Sequence, residues 1–184
     1  MNIYKLFYSE NKPDLDKNLL VYITGKCQSV FGLKVIPETY RDFMNSLYDY
    51  FYQKKIRQHI MTNHKFISLI KNHKILGLEI ADIRFVQDEE LKITKNEVYF
   101  ELCKGLNNED YHKIIESLEF LLSDGFHIFR VDFFIETSTG GERILVHQNG
   151  TISFAISPDI MESSIQKNKI LDFLVKGPEV ICEG

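Results

Sequence analysis

Apolar positions along this chain recur with two spacings, about 2 and about 3.6 residues, and the changes between them divide it into strand-like and helix-like stretches. Ile3 to Tyr8 reads as a strand carrying large apolar groups on both faces, and therefore as a buried one. A polar loop over 9–18 follows. Leu19 to Thr24 and Val30 to Ile36 read as two further strands, punctuated by Gly25 and Gly32. Pro37 then suits a first helical turn, with Glu38 at its positive end. Tyr40, Phe43, Met44, Leu47 and Phe51 lie three or four residues apart and predict an amphipathic helix to about Arg57. The run Tyr48-Asp49-Tyr50-Phe51-Tyr52 is too aromatic for one buried stripe, so some of its rings must reach the surface. A second helix starts at Thr62 or Asn63 and carries Phe66, Ile67 and Ile70 to about Lys71.

Leu76 to Val86 and Val98 to Cys103 read as strands separated by the acidic turn Asp88-Glu89-Glu90. The clearest helix follows. Asn108 serves as its cap, Glu109 and Asp110 fill its first turn, and Gly125 stops it. Its stripe is Tyr111, Ile114, Ile115, Leu118, Leu121 and Leu122.

Residues 127–157 predict a three-stranded antiparallel meander, and here the pattern also predicts register. His127, Phe129, Val131, Phe133 and Ile135 share one face of the first strand; Ile144 and Val146, then Ile152, Phe154 and Ile156, continue it. Directly opposed residues in an antiparallel ladder share a face. A two-residue Asn149-Gly150 turn would oppose Val146 to Ser153 and split the apolar set. A three-residue Gln148-Asn149-Gly150 loop opposes Val146 to Ile152 and Ile144 to Phe154, with Gly150 left-handed. The same logic applied to a Ser138–Gly141 loop opposes Ile135 to Ile144 and Phe133 to Val146. The other face then carries the rows Asp132–His147–Thr151, Phe134–Leu145–Ser153 and Glu136–Arg143–Ala155, two charge pairs about an apolar centre. Ser157-Pro158-Asp159 caps a short helix with Ile160, Met161 and Ile165, and Leu171 to Val175 is an apolar run of no assigned type. The predicted class is α+β, a mixed or antiparallel sheet with the meander and three to four packed helices, in a single domain over 1–184.

Composition supports a folded chain: 44% of the 184 residues are apolar and 26% charged. The net charge of −4 hides a division near residue 75, the one place where a sub-division suggests itself. Residues 1–74 hold 12 basic and 6 acidic side chains, and residues 75–184 hold 10 and 20. The basic half ends in Lys54, Lys55, Arg57, Lys65, Lys71 and Lys74, with His59, His64 and His73 among them. Such a cluster is either a solvated face or a footprint for an acidic or phosphate-bearing partner. The pI near 5.9 disfavours a dedicated nucleic-acid binder. No apolar run approaches the roughly 20 residues that span a bilayer, and the first residues lack a signal-peptide core. Three scattered cysteines, Cys27, Cys103 and Cys182, form no CxxC pair, so the expected address is the reducing cytoplasm.

Candidate chemistry is sparse. His59, His64 and His73 are five and nine residues apart and share no helical face, so no metal is expected. Tyr22-Ile23-Thr24-Gly25-Lys26-Cys27 lacks the first glycine and the hydroxyl of a phosphate-binding loop. Ser138-Thr139-Gly140-Gly141 precedes a strand, not a helix that could hold an anion. No cofactor is expected. The row Asp132–His147–Thr151, with Ser153 diagonal to it, is the one imitation of an acid, base and nucleophile set, and it makes a hydrolase around His147 the alternative function.

These features favour a non-catalytic protein that binds another protein, of the inhibitory, immunity or antitoxin kind, its partner a toxin or nuclease. The expected contact is the outer meander face: Asp132, Phe134, Glu136, Arg143, Leu145 and His147. Nucleic-acid binding through residues 54–74 is a weaker alternative.

Overall fold

The computed structural model describes residues 2–10, 20–24, 29–86, 97–137, 140–154, 170 and 173–174. The strands are β1 (Asn2–Ser9), β2 (Leu20–Thr24), β3 (Ser29–Val35), β4 (Arg57–Gln58), β5 (Glu79–Phe85), β6 (Ile128–Thr137), β7 (Gly140–His147) and β8 (Thr151–Phe154). The helices are α1 (Tyr40–Gln53), entered through a 3-10 turn at Pro37–Thr39, α2 (Asn63–Lys71), α3 (Glu97–Asn107) and α4 (Tyr111–Ser123). All eight strands join one antiparallel sheet in the order β2-β3-β1-β8-β7-β6-β5, and the short β4 pairs with the end of β1. The α+β class and the meander are as predicted. The sheet draws strands from both sides of residue 75.

Helices lie on both faces, which is why β1 carries large apolar groups on both. Tyr4 and Leu6 join the main core with Val131, Phe133, Ile144, Val146, Ile152 and Phe154, beneath Phe66, Leu69 and Ile70 of α2, Leu102 of α3, and Ile114, Leu118 and Leu121 of α4. Phe7 points the other way with Phe31 and Leu33, and α1 covers these three with Phe51, helped by Phe43, Met44 and Leu47. The Phe7 and Phe51 rings meet edge-on at 4.9 Å. As the aromatic run required, Tyr48 and Tyr52 are exposed.

Several boundaries differ from expectation. The stretch Val98–Cys103 lies in helix α3, not in a strand. Its Val98, Phe100 and Leu102 mimic a two-residue period, but Tyr99, Leu102 and Leu106 carry the helical spacing that packs, leaving Phe100 exposed. Because α3 runs to Asn107, residue 108 falls in the turn. Asp110 caps α4 instead, its Oδ1 accepting from the Lys113 amide at 3.2 Å. The strand expected over 76–86 begins only at Glu79, and α1 stops at Gln53, where Lys55 turns left-handed at φ 53°. Thr62 caps α2 as read, with its hydroxyl accepting from the Lys65 amide. The helix expected from Ser157, and the rest of the Leu171–Val175 run beyond its described residues, lie outside the described residues.

The β7–β8 register matches the prediction: Ile144 opposes Phe154, Val146 opposes Ile152, and Gly150 has φ 74°. Gly150 is required for a second reason. A Cβ there would sit 1.8 Å from the carbonyl oxygen of His59. The loop is pressed into a junction where Leu6 donates to the Gly150 carbonyl and His59 donates to that of Leu6.

Candidate functional site

The β6–β7 register is shifted by two residues from the predicted one. Phe133 opposes Ile144, Val131 opposes Val146, and the ladder extends to Thr137 and Gly140, leaving a two-residue connection. A two-residue shift keeps every side chain on its face, so hydrophobic patterning cannot detect it. The extra ladder pairs at the closed end favour the shorter connection.

The outer face consequently carries different rows. Asp132 stands opposite Leu145 and Phe134 opposite Arg143, while Glu136 pairs with Gly141 and His147 with Arg130. One row crosses five strands as Ile3–Ser153–Leu145–Asp132–Asp82. Beside it, Lys5 opposes Thr151, and beyond the loop His147, Arg130 and Arg84 follow in line. The predicted Asp132–His147–Thr151 and Glu136–Arg143 rows are therefore absent.

Two carboxylates directly opposed across a sheet repel, and each here is answered from its own strand two residues away. Arg84 bonds Asp82 at 2.8 Å. Arg130 grips Asp132 with two bonds, 2.6 Å to Oδ1 and 3.1 Å to Oδ2, and Arg143 adds a third from β7. Asp132 is wholly buried, Arg130 mostly so, and the Arg143 side chain is 46% exposed. A buried carboxylate thus orients an exposed guanidinium. Phe134, directly opposite Arg143, is 43% exposed.

With both oxygens of Asp132 taken by arginines, the carboxylate does not orient the imidazole as a catalytic acid would. Burial lowers the His147 pKa, the Arg130 charge adds to this, and Asp132 opposes it. Burial also lowers the Lys5 amine, which stands on this face. The Phe129 ring meets His147 edge-on at 5.7 Å. Phe129 was expected in the core; a bulge, with Phe85 opposite Ile128 and Arg84 opposite Arg130, turns it outward and sends Ile128 in.

Of the six expected contact residues, Phe134 and Arg143 are exposed, Leu145 and His147 partly covered, and Asp132 internal. The side chain of Glu136 lies outside the described residues. Sequence reasoning missed Arg130, Arg84, Asp82 and Lys5. The signal for the first three is the repeated Asp-x-Arg and Arg-x-Asp spacing, which sets opposite charges on one face of each strand.

Phe134 also borders a hollow of about 620 Å³ with His73, Glu79, Leu106, Glu109 and Tyr111. The His73 Nδ1 lies 2.7 Å from the Ile70 carbonyl, and its ring stacks at a tilt on Tyr111. In the basic run at 54–74, Lys54, Lys55, Arg57 and Lys74 are exposed, whereas other members are engaged within the fold. Lys65 bonds His59 and the Ile60 carbonyl, Lys71 pairs with Glu119, and His59 and His73 are buried. Among the described residues no three His, Cys, Asp or Glu side chains gather as a metal would need, and no helix is long and apolar enough to cross a membrane. The chain matches no protein-family model, no curated protein and no solved structure at a significant level.

Proposed function

We propose that this chain acts by binding another protein, as an inhibitory protein of the immunity or antitoxin kind, through the outer face of β6 and β7. The observation that supports this most is the Phe134–Arg143 pair. An aromatic ring and a guanidinium stand opposite one another, both nearly half exposed, with the guanidinium held by a buried carboxylate. Such residues dominate binding energy at interfaces when little ordering is left to do on association. The hollow beside Phe134 adds a concave slot for a partner's side chain, and Arg84 and Asp82, both accessible, form a charged rim that favours encounter over affinity.

The test is capture from lysates of the host organism with the intact chain and with Phe134→Ala/Arg143→Ala. One stoichiometric protein held by the intact chain and lost by the double variant supports the proposal. Failure to find such a protein, or its equal retention by the variant, overturns it.

A further inference from the structure

We propose that the groove between α3 and α4 docks a basic amphipathic segment of a protein, an apolar side chain flanked by lysines or arginines. The proposal rests on the chain being a protein-binding module but uses a separate face.

The two helices that form the groove meet closely. At Gly105 an added Cβ would lie 3.0 Å from the Ile114 side chain, 3.2 Å from its amide nitrogen and 3.3 Å from the Asp110 carbonyl oxygen, so any larger residue would have to shift these neighbours by a few tenths of an ångström. The channel left on the solvent side measures about 800 Å³, in the range that accommodates a specific ligand group. Phe100 and Phe120 border it at 55% and 53% exposure, with Val98 and the buried Ser117 between them. Among the described residues, these two phenylalanines leave an exposed apolar surface beside the concavity.

Charge selects the occupant. The lining holds Glu97, Glu101, Asp110 and Glu116 against Lys113 and the titratable His112. Glu101 is answered by Lys104 at 2.6 Å and by Lys113, bonds that hold its carboxyl down to about 2. Asp110 accepts from the Lys113 amide as the cap of α4. Glu97 and Glu116 also line the channel and make no ion pair among the described residues. An acidic rim around aromatic anchors complements a segment with an apolar stripe and positive flanks, and repels an acidic one.

The test uses the full chain and two labelled peptides, an amphipathic helix of leucine and lysine and its leucine–glutamate counterpart, followed by fluorescence anisotropy. Saturable binding of the lysine peptide alone is expected. Phe100→Ser/Phe120→Ser and, separately, Glu97→Lys/Glu116→Lys should each weaken it at least about tenfold. Phe134→Ala/Arg143→Ala should bind the peptide like the intact chain, so this site and the sheet face fail or succeed independently. No saturable binding, equal binding of the glutamate peptide, or binding that survives both groove variants overturns the proposal, as does its loss in the sheet-face variant. The substituted side chains are exposed, and urea midpoints confirm that each variant is folded.

Discussion

Replacing Asp132 by alanine should be among the most damaging single changes on the outer face of the sheet. The carboxylate is wholly buried and accepts two bonds from Arg130 and one from Arg143. Its removal leaves Arg130, 19% exposed, without a counter-charge and directly opposite Arg84. Breaking a buried pair by deleting one partner costs about 3–5 kcal/mol, because the remaining charge is stranded. Arg143 is 46% exposed and regains water, so Arg143→Ala should cost only about 0–1 kcal/mol. Urea unfolding followed by circular dichroism at neutral pH reads both. With an m-value near 2 kcal/mol/M, Asp132→Ala should lower the midpoint by roughly 2 M. Replacing Asp132 by leucine and Arg130 by methionine together should recover most of the loss, since an apolar substitute for a buried pair is close to neutral. A loss under about 1 kcal/mol for Asp132→Ala, or a double variant weaker than the single, would refute the stranded-charge reasoning.

Gly150→Ala should cost at least about 3 kcal/mol, since the methyl group would meet the His59 backbone oxygen and the residue is left-handed; a urea midpoint near that of the parent would contradict this. Glu109 is a non-glycine residue at φ 55°, so Glu109→Gly should raise stability by about 0.5 kcal/mol, and a lower midpoint would count against the strain. His59 is held down to about 4, from an ordinary 6.5, by burial first and then by the Lys65 charge. The unfolded chain therefore binds the extra proton between pH 6.5 and 4, so stability present above pH 6.5 declines as pH falls toward 4, by about 3 kcal/mol from this residue. Denaturant midpoints across that window should show the decline, and His59→Asn should flatten it; an unchanged slope in the variant would clear His59 of the effect.

Where one face of an element is buried and the other wet, the sequence pattern was enough to find it. The α4 stripe and the β7–β8 register are examples, the latter because a one-residue slip would have sent Ile152 and Phe154 outward. Slips of two residues carry no such penalty, which is why the β6–β7 register and every cross-strand row built on it were misread. Bulges are equally silent in patterning: the extra residue beside Arg84 and Phe85 exchanged Phe129 for Ile128 in the core. The α3 helix was misread because three alternate apolar residues satisfy either period over so short a window. The outer face was legible as a candidate surface, but its internal order was not. Asp132, expected on the contact surface, has a wholly buried side chain that holds Arg143, and its partner Arg130 lies on the same strand, outside the cross-strand pairing that was considered.

Binding of a partner protein on the Phe134 face can be read in the living host by placing a photo-activatable benzoylphenylalanine at position 134, with Tyr48, 68% exposed on α1, as the control position. One discrete protein adduct is expected at 134, absent at 48 and lost when Arg143 is also replaced by alanine. No adduct at 134, or the same pattern of adducts at both positions, would contradict it.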